Sequence, residues 1–231
     1  MLSIIIPTLN EEEHLPILLK SIISQDFKDY EIIVADKNSK DKTRQIAKSY
    51  KAKIVKGGLP SKARNNGAKA AKGNILLFLD SDVRLSKGSL NKALTQFKKR
   101  KLGIALLSIR ADTKNVLDKT LYRTADNFLK ATQFFKALGA GCCGIMIKTV
   151  IHNKIKGYDE SRKYGEDTDY IVKASKLGKF GVLTSKVYVS TRRLKVEGRW
   201  RTMSKYLRST IYDILGKDTK KFGYEFDIYK K

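Results

Sequence analysis

Asp80-Ser81-Asp82 sets two carboxylates one residue apart directly after the apolar run Ile75-Leu76-Leu77-Phe78-Leu79. A short apolar run bounded by Gly73-Asn74 and a polar turn reads as a strand buried on both faces, as in the middle of a parallel sheet. Open α/β sheets bind ligands beyond the carboxyl ends of such strands. Two carboxylates there can hold a hard divalent cation, Mg²⁺ or Mn²⁺, and the cation can neutralise a pyrophosphate. Glu166-Asp167 forms another acidic pair, ahead of Tyr170, Ile171, Ala174 and Leu177 at helical spacing. Taken alone, the first pair is a solvated turn and the second a helix cap with favourable charge. A functional reading requires other residues to converge on them.

The remaining apolar runs supply that convergence. Leu2 to Ile6 ends in Pro7-Thr8-Leu9-Asn10-Glu11, and Tyr30 to Ala35 ends in Asp36-Lys37-Asn38-Ser39. Between them, Leu15, Leu18, Leu19, Ile22 and Ile23 mark one apolar helix face. Then come a helix near Thr43 to Ser49, a short strand from Ala52 to Val55 and a helix opened by Ser61. The alternation βαβαβαβ predicts a mostly parallel central sheet flanked by helices, with successive strand ends on one rim. Gly141 to Ile147 reads as a further strand and Thr168 to Leu177 as a further helix.

Ser3-Ile4-Ile5-Ile6-Pro7-Thr8-Leu9-Asn10-Glu11, Glu31-Ile32-Ile33-Val34-Ala35-Asp36, Ala63-Arg64-Asn65-Asn66-Gly67 and Asp80-Ser81-Asp82 follow one another in an order that resembles the nucleotide-binding half of the family 2 glycosyltransferases. Gly157-Tyr158-Asp159-Glu160, then Gly165-Glu166-Asp167, resembles that family's acceptor-side segment. Several motifs in the right order are far more specific than any one of them. The resemblance implies an α/β chain with the GT-A fold over residues 1–190, divided into a nucleotide-sugar-binding half (1–100) and an acceptor half (101–190). Residues 191–231 would form a basic amphipathic C-terminal extension.

The same resemblance implies roles for particular residues. Asp36 would accept hydrogen bonds from the donor's base or ribose, with Pro7, Thr8 and Glu11 lining that pocket and Arg64 approaching the base or phosphates. Asp80 would face the ribose and sugar, and Asp82 would be the principal ligand of a divalent cation. Asp167 would deprotonate the acceptor, with Glu166 and Trp200 on the acceptor side. Ser190-Thr191-Arg192-Arg193 through Arg199-Trp200 resembles a basic loop that closes over the donor in relatives, so Arg193 or Arg199 would assist the leaving group. The spacing departs from that of processive synthases and points to single additions.

The implied reaction moves a sugar from a UDP- or GDP-linked donor to a hydroxyl of a glycan or lipid-linked glycan. A base attacking opposite the leaving group inverts the anomeric carbon. A polyprenyl-phosphate sugar transferase is the alternative, although an anionic phosphate acceptor has little need of a base. A nucleotidyltransferase would carry a Gly-rich basic loop where Pro7 to Glu11 stands.

Charge bounds the partners. With 48 basic and 23 acidic residues the net charge is +25. The lysines are scattered, with no stripe of aromatics and no zinc pattern, so nucleic acid is not an expected partner. From Lys186 to Lys231 there are 13 basic and 5 acidic residues. Trp200, Met203, Leu207, Ile211 and Ile214 recur at helical spacing from Val196 to Leu215, predicting a basic amphipathic helix that lies on an anionic membrane or packs on the domain. With Met1 leading straight into a strand and no run of about 20 apolar residues, the expected location is cytoplasmic, peripheral on the inner face of the membrane. His14 and His152 have no ligand-like spacing and read as ordinary surface or loop residues. Cys142 and Cys143 read as small strand residues, too close in sequence to pair.

Overall fold

The computed structural model describes residues 1–135, 137, 143–162 and 165–214. Among the described residues the sheet has eight strands, in the order β3-β2-β1-β4-β7-β6-β8-β5. The first four strands are β1 (Leu2–Thr8), β2 (Tyr30–Asp36), β3 (Lys53–Lys56) and β4 (Ile75–Phe78). They pair in parallel, with Ile5 opposite both Ile33 and Phe78, and Thr8 opposite Asp36. This register brings the polar segments after β1, β2 and β4 to one rim.

The run of isoleucines in β1 follows from its central position, because both faces are covered. Ile4 and Ile6 pack in the cluster that contains Leu15, Leu18, Leu19 and Ile22 of α1 (Leu15–Ile23). Ile5 points the other way, into a cluster with Phe78, Tyr158 and Tyr170. There α3 (Pro60–Lys69) crosses so closely that a Cβ on Gly67 would collide with the Ile5 side chain. Pro60 lies in the first turn of α3, where its missing N–H costs nothing.

The second half of the chain extends the same sheet. β6 (Ile104–Asp112) pairs in parallel with β8 (Phe180–Ser190), while β7 (Ile145–Lys148) runs antiparallel between β4 and β6. β5 (Val83–Leu85), just after the acidic turn, pairs antiparallel with β8 at the sheet edge. The helices α2 (Thr43–Ser49), α4 (Ser89–Lys99), α5 (Val116–Thr132), α6 (Thr149–Lys154) and α7 (Glu166–Ser175) complete the layers. The expected α/β architecture with a mostly parallel sheet is present.

Several boundaries differ from expectation. β7 starts at Ile145 rather than at residue 141, so Cys143 lies in its lead-in; Gly141 and Cys142 lie outside the described residues. α7 starts at Glu166 because Gly165, with φ of 69°, takes a left-handed conformation that favours glycine immediately before it. The C-terminal helix is two helices, α8 (Arg192–Glu197) and α9 (Arg199–Ile214), interrupted at Gly198 with φ of 86°. The side chains of Met203, Leu207, Ile211 and Ile214, and all of Leu215, lie outside the described residues. No helix among the described residues is long and apolar enough to cross a membrane.

α5 is fastened to β6 by charge. Asp126 is fully buried and accepts from Ser108 Oγ at 2.8 Å, Ile109 N at 3.0 Å, Arg110 Nη1 at 2.6 Å and Lys130 Nζ at 2.7 Å. Burial alone would raise its pKa, but the hydrogen bonds from Arg110, Lys130 and Ser108 outweigh it and hold the carboxyl below its ordinary value. Asp126→Ala should lower the unfolding free energy by about 3 kcal/mol, the low end for a broken buried pair because Arg110 and Lys130 retain contact with water. Chemical denaturation measures this; an unchanged midpoint and slope would remove Asp126 from the fold's supports.

Candidate active site

Strand ends build the first wall. Thr8 and Asp36, side by side in the register, are joined by a hydrogen bond from Thr8 Oγ1 to Asp36 Oδ1 of 3.2 Å. Ser39 donates to the same carboxylate from its N at 2.9 Å and its Oγ at 2.5 Å. Oδ2 of Asp36 accepts only the backbone bond among these, which leaves it lone-pair capacity for a ligand donor. Arg44 Nε is 3.9 Å away from it. Glu11 is anchored through its own N, which donates to Thr43 Oγ1 at 2.8 Å. Pro7 closes the segment between Ile6 and Thr8 at the end of β1.

Arg64 joins that wall to the opposite one. Its guanidinium is buried on α3, 4% exposed, with Nη2 donating to Asp80 Oδ1 at 3.0 Å and Nη1 donating to Glu166 Oε1 at 3.3 Å. The same Nη1 is 3.6 Å from Asp167 Oδ1. One cation thus serves the acidic turn after β4 and the N-terminus of α7. Sequence reading put Arg64 against the base or phosphates; the structure sets it among carboxylates. Its neighbour Asn65 clamps the backbone of Tyr158, donating to the carbonyl at 2.9 Å and accepting from the N–H at 2.8 Å. The segments Ala63 to Gly67 and Gly157 to Glu160 therefore form one contact.

Below Arg64 lies an aromatic stack. Arg64 Cζ sits 5.4 Å from the Tyr158 ring centroid, and Tyr158 stacks on Tyr170 at 3.8 Å with 2° between planes. Tyr170 Oη is 2.6 Å from Nδ1 of His152, whose ring lies 5.8 Å from that of Phe78. His152 is buried on α6, contrary to the surface or loop place expected of it, and burial pushes its pKa down to about 4. No ligand spacing in the sequence points to it; only the fold brings residues 78, 152, 158 and 170 together.

A second arginine spans the acidic turn. Arg192, in the first turn of α8, donates through Nη2 to Glu11 Oε1 at 2.7 Å, and its Nε is 3.0 Å from Asp82 Oδ2. The β5 and β8 register explains the meeting: Val83 faces Val189, and Ser190 N donates to the Asp82 carbonyl at 3.1 Å, so the next residues emerge beside Asp82. Arg193 also stabilises the Asp82 charge. Arg199 instead pairs with Asp118 of α5 at 2.7 Å, and Trp200 is 77% exposed beside it. The structure thus favours Arg192 over Arg199 at the carboxylates, a choice that depends on where β8 ends.

The electrostatics reflect crowding. Burial raises the pKa of Asp80 to about 6, against the pull of Arg64 and with the help of the Asp82 charge. Burial likewise raises Asp82, against Arg192. Burial would raise Glu11 too, but hydrogen bonds from His14 and Arg192 hold it below its ordinary value. The Cys143 thiol is pushed well up by burial and by Asp80, Asp82 and Asp167, which keeps it protonated beside the site.

Two carboxylates that resist ionising together are a donor set suited to a cation, and the Arg192 guanidinium already stands against Asp82 as a positive charge. Among the described residues no three His, Cys, Asp or Glu side chains gather closely enough to enclose a metal. A divalent cation held by these two carboxylates would have to keep several waters and take phosphate oxygens as further ligands, as Mg²⁺ and Mn²⁺ do.

A family model described as Glycosyl transferase family 2 matches residues 3–180, and so takes in the ends of β1, β2 and β4 and the helix that starts with Glu166. The chain belongs to glycosyl transferase family 2. Over 131 residues it is 30% identical to the poly(ribitol-phosphate) beta-N-acetylglucosaminyltransferase TarS of Staphylococcus aureus, covering 52% of this chain and 23% of TarS. Over 100 residues it is 40% identical to the GalNAc(5)-diNAcBac-PP-undecaprenol beta-1,3-glucosyltransferase of Campylobacter jejuni, covering 39% of this chain and 32% of that protein. The matches thus span under a third of either relative. TarS 1-349 in complex with UDP-GlcNAc superposes with a TM-score of 0.69 at 22% identity, over 94% of this chain and 67% of that one. Mannosyltransferase PcManGT from Pyrobaculum calidifontis, in complex with GDP-Man and Mn2+, gives 0.71 at 18% identity, over 94% of this chain and 65% of that one. These likenesses establish the GT-A fold.

In this family 2 chain the site rests on a buried neutral histidine, and that makes a pH dependence. Unfolded, His152 takes a proton below its ordinary pKa of 6.5; folded, it resists until about 4. The stability tied to its neutrality is complete above the first value and is lost as pH falls through the second, by at most about 3 kcal/mol. His152→Gln should flatten this part of the stability profile between the two values relative to wild type, as read by denaturant titration at each pH. Parallel profiles for the two proteins would show that His152 does not titrate on unfolding.

Proposed function

We propose that the chain transfers a sugar from a nucleotide-diphosphate donor to a hydroxyl of a glycan or lipid-linked glycan, with inversion and with Asp167 as general base. The observation that carries this reading is the Arg64 bridge, which sets the acidic turn after β4 and the acidic N-terminus of α7 about one guanidinium.

In this reading Asp36 and Thr8 hold the nucleoside through the free capacity of the Asp36 carboxylate, with Pro7 and Glu11 at the same end of the sheet. Asp82 and Asp80 would hold a divalent cation, which supplies positive charge to the departing diphosphate. Arg192, already placed against Glu11 and Asp82, and Arg193, whose charge acts on Asp82 while it pairs with Glu197, turn to the diphosphate oxygens when the donor enters. Asp167 takes the acceptor's proton as the acceptor oxygen bonds to the anomeric carbon. The bond from that carbon to the β-phosphate oxygen breaks, and its electron pair leaves with the nucleoside diphosphate. Attack from the side opposite the leaving group inverts the centre. Arg64 orients Asp167 and Glu166 and keeps their charge compatible with Asp80; it acts as a positioning residue.

The relatives add donor and acceptor classes to test. TarS was crystallised with UDP-GlcNAc and PcManGT with GDP-Man, and the Campylobacter jejuni relative is named for an undecaprenol-linked glycan acceptor. A thermal-shift screen with UDP and GDP, each with and without Mn²⁺, should raise the melting temperature by several degrees for one nucleotide. A ligand at about 100 times its Kd adds about 2.7 kcal/mol. The shift should depend on the metal and vanish in Asp82→Ala. A shift retained in that variant would exclude Asp82 as the metal ligand, and no shift with either nucleotide would count against the donor pocket.

A further inference from the structure

α5 is a helix whose acids face inward. Asp118 and Asp126 are buried, paired respectively with Arg199 and with Arg110 and Lys130. Lys119 and Arg123 face solvent, so the outward charge of the helix is entirely positive. Between exposed Thr120, Thr124 and Asn127, the helix and the turn after it also expose large apolar side chains. Val116 is 75% exposed, Phe134 79% and Phe135 92%, with Leu117 and Phe128 nearly half exposed. Leu117, Phe128 and Phe135 fall at spacings of eleven and seven, which places them along one line of the helix and its continuation. Half of the large apolar side chains that the described residues expose lie on this helix, the turn after it, and the Val196 to Trp200 stretch that Arg199 tethers to its first turn.

Exposed aromatics, a one-signed positive flank and buried acids are the features of a helix that lies in a bilayer interface. An anionic lipid surface complements a face whose charges are all of one sign, and acyl chains accept its exposed aromatics. Phe134 borders an open cleft whose rim carries Arg100, Lys130 and Lys179, extending the basic flank beyond the helix itself. We infer that α5 and the Phe134-Phe135 turn form a membrane-docking face that inserts its aromatics among the acyl chains of an anionic bilayer. The inference does not require the proposed reaction, since lipid binding is read without donor or acceptor. It adds α5 to the C-terminal helix that the sequence suggested, the two being joined where Arg199 donates to Asp118.

Co-sedimentation of the full chain with vesicles of pure phosphatidylcholine and of phosphatidylcholine mixed with phosphatidylglycerol tests it. Wild type should pellet with the mixed vesicles only. The double variant Phe134→Ser/Phe135→Ser keeps every charge and an unchanged melting temperature, and should lose about tenfold in partitioning. Lys119→Glu/Arg123→Glu should lose a similar factor. Wild-type pelleting by the Phe134→Ser/Phe135→Ser protein would assign the attraction to the scattered lysines and overturn the inference. So would wild type that ignores both vesicles, whether it sediments as a monomer or covers the face with a second copy.

Discussion

Glu11, Asp80, Asp82, Glu166 and Asp167 converge on one rim of the sheet, and mutual repulsion would open the cleft were it not for two guanidiniums set between them. Arg64 holds Asp80, Glu166 and Asp167, while Arg192 holds Glu11 and Asp82. The two are supported differently. Arg64 lies on the buried face of α3, over the stack of Tyr158 and Tyr170, and is 4% exposed. Arg192 sits at the start of a short helix after the edge pairing of β5 and β8, and is partly exposed. The fixed arginine joins the two walls of the site; the other stands on its mouth. Under the proposed reaction, such a division would keep the base in place yet admit a large anionic ligand.

The rest of the core serves this arrangement. Parallel pairing of β1, β2 and β4 brings Thr8, Asp36 and Asp80 to the same edge. The insertion of β7 between β4 and β6 carries the second half of the chain across to it. Asn65 then ties Tyr158 to α3, which fixes where α7 can begin. Charge, packing and backbone pairing are coupled here, so a change at Tyr158 or Gly67 acts on the site without touching a ligand.

Much of this was legible in the sequence. Apolar strand runs ending in Thr8, Asp36 and Asp80 announce their own register, because runs of this kind have few other places in an α/β sheet. The acidic pair at Asp167 was legible as a helix start, and Gly165 at positive φ gives the reason. Contacts made by tertiary closure were not. Arg64 on a lysine-rich chain carries no mark of burial, and His152 lacks any partner at a recognisable spacing. Arg192 gains its place over Arg199 from the point at which β8 ends, which strand alternation locates only within a residue or two. The exposed α5 was missed for another reason: apolar periodicity reports that a helix has an apolar side, and only the fold tells which side faces water.

The central claim is that Asp167, held by Arg64, removes the acceptor's proton. The most direct measurement is single-turnover transfer by Asp167→Asn, with the donor and acceptor that wild type uses best and with donor binding measured in parallel. The account predicts a fall of about 10² to 10⁴ in the transfer rate with donor affinity preserved. Near-normal transfer by the variant would contradict it and point to an acceptor that is already anionic.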